Sequence, residues 1–465
     1  MPTWVLEHEL DHPLVDRPAP PDHGEAVVLV RHGGVPLGTV RVSCGDGTLR
    51  GAVLRQAIAT DLAIGTRLFR RSLQGWLLGK APSPLPEALD LPAWSVVVCT
   101  HERPDDLRRC LAALRQLDAP PGEILVVDNA PTTERTASVV ADAMHERSGP
   151  HRLRYVREDR PGLNWARMAG GRAATGAVVA YTDDDVVADR QWVRTLLAEF
   201  AADPSVAAVT GPALALELQT EAQERFERHG GFQRGWDRTV FDATTLDAVS
   251  AGRVGAGANS AFRRDVLLEL RLFSHELDAG TVTQSGGDTY AFYLLLAHGR
   301  RIVYAPAALV WHRHRRDMAG FARVMRGYSV GGFTMLLRCL VDHGELSALR
   351  AAVSWLWWDH VRELGRVVLR RRTALPTLVV REYWRGVLEA PGAWWRSRRR
   401  ERRLLAEDRA AGVRDFAPAD AADAARDAAF DRPAAAPRQA PADRARTAVT
   451  DVADERPRPL ADVRQ

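Results

Sequence analysis

Between residues 95 and 181 short apolar runs alternate with segments whose apolar positions recur every three to four residues. The runs Ser95–Cys99, Glu123–Val127, Arg152–Val156 and Ala177–Tyr181 predict strands. The segments Asp105–Leu117, 133–146 and 163–175 predict amphipathic helices. Such alternation builds crossover units on a mostly parallel sheet, so the fold class is α/β with a mixed, mostly parallel sheet. Ligands of such sheets bind beyond the carboxyl ends of the strands. Polar groups stand at three of those ends: Thr100-His101-Glu102-Arg103, Asp128-Asn129 and Asp183-Asp184-Asp185. All three point at one crevice.

The flanking pattern differs. Residues 25–43 alternate around Gly33-Gly34 as a β-hairpin, with an Ala/Leu helix expected near 52–79 and a proline-rich linker over Ala81–Pro86. A strand is predicted from Arg301 to Val310, and helical segments rich in Trp and Arg follow residue 320. The chain therefore divides into a small N-terminal α+β unit with its linker (1–86), a central domain (87–318), a helical region (319–405) and a tail (406–465). The tail is an Ala/Asp/Arg/Pro mixture with too little apolar surface to offset its ordering entropy, and disorder is expected there.

Composition narrows the function. With 465 residues, 46% of them hydrophobic, the chain can bury a large core. No apolar stretch reaches the length of a membrane span and no signal-peptide pattern opens the chain, so a cytoplasmic location is expected. Cys44, Cys99, Cys110 and Cys339 lack metal or disulfide spacing and read as reduced, mostly buried thiols, against zinc or redox chemistry. The net charge is only +4, but arginine crowds between Arg362 and Arg403. Because Lys80 is the only lysine, an isolated arginine says little about phosphate binding.

Three carboxylates crowded after a buried strand repel one another. A divalent cation such as Mg²⁺ or Mn²⁺ relieves that repulsion and prefers carboxylate and phosphate oxygens. A solvated acidic turn, or an N-cap for a helix at Trp192, is the alternative reading of the triplet alone.

Its company extends the reading. In order along the chain stand Thr100 and Arg103 after the first strand, Val126-Val127-Asp128-Asn129, Arg160-Pro161-Gly162-Leu163-Asn164-Trp165-Ala166-Arg167, the Asp183–Asp185 triplet, Gly255-Ala256-Gly257-Ala258-Asn259 running on to Arg264, and Gly286-Gly287-Asp288. Over residues 94–316 this series resembles the inverting glycosyltransferases of family 2, which have the GT-A fold. The resemblance implies a nucleotide-sugar-binding domain and an enzyme that moves a sugar from a nucleoside diphosphate to an acceptor hydroxyl. It places Thr100, Arg103 and Asp128 around the nucleoside, with Asp128 facing the ring N–H of the base, and Arg160 and Arg167 near the diphosphate or ribose. It makes Asp185 the metal contact, with Asp183 or Asp184 reaching the ribose and Asp183 also a candidate ligand. Gly257 and Asn259 belong to a loop that approaches the sugar closely.

An acceptor hydroxyl has a pKa far above 7, so its attack needs a positioned carboxylate to take the proton. Asp288, expected to open a helix over Thr289–His298 whose dipole favours its ionised form, is the candidate base. A plain N-cap is the alternative. Relatives usually carry Glu-Asp where this chain has Gly287-Asp288, and asparagine where it has Met168. In Trp311-His312-Arg313-His314 an extended backbone puts both histidines on one side, and the resemblance favours His312 over His314 as a metal ligand. The Arg/Trp-rich segment 362–403 suits an anionic membrane surface and ranks ahead of nucleic-acid binding, so peripheral attachment to the inner face of the cell membrane is expected, with a glycan or lipid-linked acceptor. A sugar nucleotidyltransferase, which would need a Gly-rich loop with a basic side chain after the first strand, and a non-catalytic scaffold are the competing readings.

Overall fold

The computed structural model describes residues 2–78, 90–146, 149–369 and 375–410. The linker Ala81–Pro86, the cluster Arg370–Arg372 and the tail from residue 411 lie outside the described residues.

At the centre is an eight-stranded sheet. In spatial order its strands are Thr239–Phe241, Arg301–Tyr304, Val206–Thr210, Ser260–Arg263, Val178–Asp183, Trp94–Thr100, Glu123–Asn129 and Arg152–Glu158. Trp94–Thr100 runs parallel to both Glu123–Asn129 and Val178–Asp183, and Ser260–Arg263 is antiparallel to its two neighbours. The sheet is buried on both faces, which is why its strands read as continuous apolar runs. Val97, Val127, Val179 and Tyr181 pack toward the helices Leu163–Ala173 and Gly287–Ala297. Val96, Val98, Val126 and Ala180 pack toward Pro104–Leu114, Arg135–His145 and Trp192–Ala202. Met168 is 2% exposed inside the first of these clusters, so its departure from the polar residue of relatives is a packing choice.

The strand expected over Arg301–Val310 is in fact two. Arg301–Tyr304 belongs to the large sheet, whereas Val310–His312 joins Val186–Ala188 and Ala213–Ala215 in a separate three-stranded sheet. Pro306, which lacks a ladder N–H, lies in the crossing between them.

The N-terminal hairpin, Glu25–His32 with Val35–Ser43, gains a third strand, Thr3–Glu9, parallel to the first. Two helices follow, Gly51–Thr60 and Leu62–Leu78. This unit docks on the central domain: Thr3 N donates to Leu218 O (2.8 Å), Arg31 pairs with Asp189 (2.6 Å) and Arg41 with Glu224 (3.0 Å). Leu29 packs with Leu214 and Leu309, flanked by Trp236 and Trp311.

Beyond the sheets, the helix Met318–His343 packs along the last helix, Thr377–Ala410, which runs past the expected boundary at 405. Val379, Val380 and Tyr383 of that helix join Phe321 and Met325 in one cluster. All four cysteines are buried and free, as expected.

Candidate active site

Asp183 ends its strand, Asp184 and Asp185 form the turn, and Val186 immediately begins the short strand Val186–Ala188. The triplet is therefore the tip of a tight connection and not the start of a helix. Register then decides its company. Val186 is opposite His312 in the antiparallel pair, so His312 Nε2 comes to 3.3 Å from Asp185 Oδ1. Ligand atoms of Asp183, Asp185 and His312 all lie within 4.8 Å of one another. His314 does share the side of His312, with their Nδ1 atoms 3.2 Å apart, but its own Nε2 is 2.9 Å from Glu227. Burial pushes the His312 imidazole down to about 4, against the pull of Asp185, so it is neutral and able to ligate. Burial raises Asp183 and Asp184, each helped upward by its carboxylate neighbours, while Asp185 is held below the usual range against its burial, with the Arg103 guanidinium among the charges that favour its ionised form. Two carboxylates and a neutral imidazole suit Mn²⁺ or Mg²⁺, and a cation would relieve the repulsion that the protein leaves in the cluster.

Thr100 and Arg103 converge on the same turn. Thr100 Oγ1 donates to Asp184 Oδ2 (2.8 Å), and Arg103 Nη1 reaches Asp184 Oδ1 (3.0 Å) and Asp185 Oδ2 (2.8 Å). Both oxygens of Asp184 are thereby engaged within the protein, and Asp183 is the member of the pair that lines the cavity described below. Asp128, at the end of the next strand, is 1% exposed and accepts from the Tyr155 hydroxyl (2.9 Å). Its burial raises its pKa.

Two of the expected donor contacts are occupied otherwise. The Arg160 guanidinium grips Glu158 through Nε (2.6 Å) and Nη2 (2.7 Å), lies over the Trp165 ring at 4.3 Å, and is absent from the cavity wall. Asn259 is fully buried: its amide donates to Pro212 O (2.8 Å) and Ala308 O (2.7 Å), and its oxygen accepts from Trp192 Nε1 (2.8 Å). It clamps three segments together and has no group left for a sugar.

Arg167, by contrast, is 4% exposed and inside the site, not on a solvent face. Its Nη1 pairs with Asp278 Oδ2 (2.6 Å) and meets Asn164 Oδ1 (3.2 Å). Burial opposes its charge, but Asp278, Asp183 and Asp288 outweigh that and raise its pKa. Nothing in the sequence marks Asp278, one of two acids, with Glu276, in a loop without periodicity. Gly257 behaves as expected of a close-approach residue. A Cβ there would lie 2.8 Å from Arg167 Nη2 and 2.9 Å from Asp288 Cβ, and its own N–H donates to Asp288 Oδ2 (2.7 Å). Asp288 is the second residue of the helix Gly287–Ala297 and not its cap, which is Gly286 in the left-handed region (φ 93°) two residues earlier.

One cavity of about 1190 Å³ is bordered by Arg167, Asp183, Gly257, Asp278, Asp288 and His312, whereas Thr100, Arg103, Asp128 and Asp185 do not line it. It extends under the helix Met318–His343 toward Tyr328, Trp355, Trp358 and Tyr383, with Arg234 and Arg315 in the wall. An acid–imidazole pair, Asp183 and His312, and a helix-borne carboxylate, Asp288, thus line one cavity of substrate size.

Residues 95–271 match the profile described as Glycosyl transferase family 2. The chain carries a family 2 glycosyl transferase domain. It is similar to the glucosyl-dolichyl phosphate glucuronosyltransferase of Haloferax volcanii, 26% identical over 251 residues that cover 50% of this chain and 75% of the relative. The succinoglycan biosynthesis protein ExoM of Rhizobium meliloti is likewise 26% identical over 258 residues, covering 55% and 75%. Among solved structures, the mannosyltransferase PcManGT from Pyrobaculum calidifontis, in complex with GDP-Man and Mn²⁺, aligns over 79% of this chain and 88% of its own at 18% identity and a TM-score of 0.40. The chain is a glycosyltransferase, with an acidic cluster able to hold a metal at the strand end. Among the described residues no helix is long and apolar enough to cross a membrane.

Proposed function

We propose that this chain transfers a sugar from a nucleoside-diphosphate sugar to an acceptor hydroxyl with inversion at the anomeric carbon. The observation that carries the reading is one cavity lined by Asp183, His312 and Asp288 together. Asp183, Asp185 and His312 would hold a Mn²⁺ or Mg²⁺. When bound, that cation supplies positive charge for the diphosphate that leaves. Asp288 takes the acceptor hydroxyl's proton as the oxygen bonds to the anomeric carbon, while the bond from that carbon to the diphosphate oxygen breaks and its electron pair departs with the diphosphate. Arg167, permanently charged and buried at the same wall, favours the developing negative charge.

In this reading Asp128 receives the ring N–H of the base, and Asp183 reaches the ribose or the metal. Asp184, held by Thr100 and Arg103, fixes the turn from which both neighbours project. With Mn²⁺ or Mg²⁺ present, one member of a panel of UDP-, GDP- and dTDP-sugars is expected to be turned over, with nucleoside diphosphate released, or to raise the melting temperature. Neither turnover nor binding with any donor would sink the reading.

We also propose that the enzyme works at an anionic membrane surface through the helices that follow Met318–His343. Leu346, Leu349 and Val353 are exposed at spacings of three and four residues, and Trp357, Leu364 and Val368 are exposed further along, in and beyond the π-helical stretch Leu356–Val361. They lie beside Arg350, Arg362 and Arg366, and Trp358 joins them at the cavity mouth. The exposed apolar residues thus begin before the segment 362–403 and run into it, while the last helix buries Val379, Val380, Tyr383, Ala390 and Ala393 and exposes Leu388 and Trp395. Co-sedimentation with vesicles containing phosphatidylglycerol is expected, with Leu349→Ser/Trp357→Ser lowering the bound fraction several-fold. Equal partitioning of both proteins would refute this attachment.

A further inference from the structure

The wall beside Asp288 contains a substitution in space. Position 287 is a glycine, and a Cβ built there would lie 2.4 Å from Asp278 Oδ2 and 2.3 Å from Asn164 Nδ2. The room that a side chain at 287 would occupy is therefore filled by the carboxylate of Asp278, delivered from the loop that precedes the helix. Asp278 and Asp288 border the same cavity.

Two features make Asp278 costly as mere filler. Its backbone has φ 83°, a left-handed conformation that glycine would adopt without strain. Its side chain is a charge only 8% exposed, and a buried ion pair is seldom more stable than apolar packing of the same volume. Its bonding is also incomplete. Oδ2 accepts from Arg167 (2.6 Å) and Oδ1 from the Ala279 N–H (2.9 Å), which uses two of about four acceptor positions on a carboxylate. Arg167 makes its ion pair to Asp278, and among the described residues no carboxylate of the helix Gly287–Ala297 comes within 4.0 Å of it. Asp278 is thus the carboxylate that pairs directly with this arginine.

We infer that Asp278 is the second acceptor-side carboxylate of this site, standing where position 287 has no side chain, and that the acceptor is a polyol whose neighbouring hydroxyl it receives. The inference rests on the transferase reading above and adds to it a residue and a substrate class. Asp288 takes the proton of the attacking hydroxyl, and Asp278 accepts a hydrogen bond from the adjacent one, orienting the sugar without any change in its own protonation.

The test compares the full-length protein with Asp278→Asn and Asp278→Gly, since both replacements tolerate the left-handed backbone. Nucleoside diphosphate release from the donor is measured with Mn²⁺, with and without the octyl glycosides of glucose, galactose, mannose and N-acetylglucosamine as probes. Loss of one hydrogen bond to a charged group is expected to lower the ratio of glycoside-dependent to glycoside-independent release about 10- to 100-fold, chiefly through the KM for the glycoside. Should both rates fall together, Asp278 acts through the fold alone and the proposal is overturned. An unchanged ratio overturns it too, as does a wild-type enzyme that hydrolyses donor but is accelerated by none of the four glycosides. A wild-type protein that releases nothing from any donor instead removes the transferase reading on which the inference stands.

Discussion

Asp288→Asn is expected to lower kcat for transfer by about 10² to 10⁴, the usual contribution of a positioned general base, while donor and metal still bind. The geometry allows so selective a loss. Asp288 Oδ2 accepts from the Gly257 N–H and Oδ1 from the Thr289 N–H, and an asparagine oxygen can keep one of these bonds with nearly the same shape. What asparagine cannot do is take up a proton. Because Gly257 packs against both Asp288 and Arg167, the loop on the donor side should stay in place, and calorimetric donor affinity should remain within a few-fold of wild type. Steady-state kinetics on the variant, beside donor titration by calorimetry, check both halves. Wild-type turnover by Asp288→Asn would remove Asp288 from the role of base.

The second large effect concerns the cation. Chelation with EDTA is expected to abolish turnover, and Mn²⁺ or Mg²⁺ to restore it. Asp185→Asn should weaken the metal more than about 100-fold, since even partners behind the ligands of such sites are worth 10- to 100-fold. A readout independent of activity follows from the chain connections. Asp185 and His312 are far apart in sequence and are joined only through the small sheet, so a cation that bridges them binds the folded chain alone. At 100 times its Kd it should stabilise the wild-type fold by about 2.7 kcal/mol. Differential scanning fluorimetry should show Mn²⁺ raising the melting temperature of the wild type and not of Asp185→Asn. Full activity in EDTA, with no thermal response to either cation, would contradict the assignment.

How much of this was legible beforehand follows from what each residue's neighbours are. The central strands were readable because both faces are covered, which makes Ser95–Cys99 and Glu123–Val127 apolar without interruption. The contact of Thr100 with the triplet was readable because parallel strands end on the same side, whereas Asp128 pairs with Tyr155 on the neighbouring strand. Thr3–Glu9 was not recognised, since its partner is parallel and no turn connects them. Arg160 and Asn259 carry the right side chains for a donor, but Glu158 and the carbonyls of Pro212 and Ala308 had already claimed them. Asp278 was invisible for the opposite reason. Its importance comes from Arg167 and from the empty position at Gly287, neither of which is near it in the local pattern.

The docking of the first strands has a consequence for how the enzyme can be divided. Arg31 holds Asp189, the residue directly after the short strand that leaves the acidic turn, and Leu29 packs on Leu214 and Leu309, which flank the strand bearing His312. The opening segment is therefore a brace behind the small three-stranded sheet that carries His312. A protein cut at the linker would keep every residue of the family match yet expose the back of that sheet. The unit that evolution can recombine, or that an engineer can transplant, is thus larger than the unit that similarity recognises.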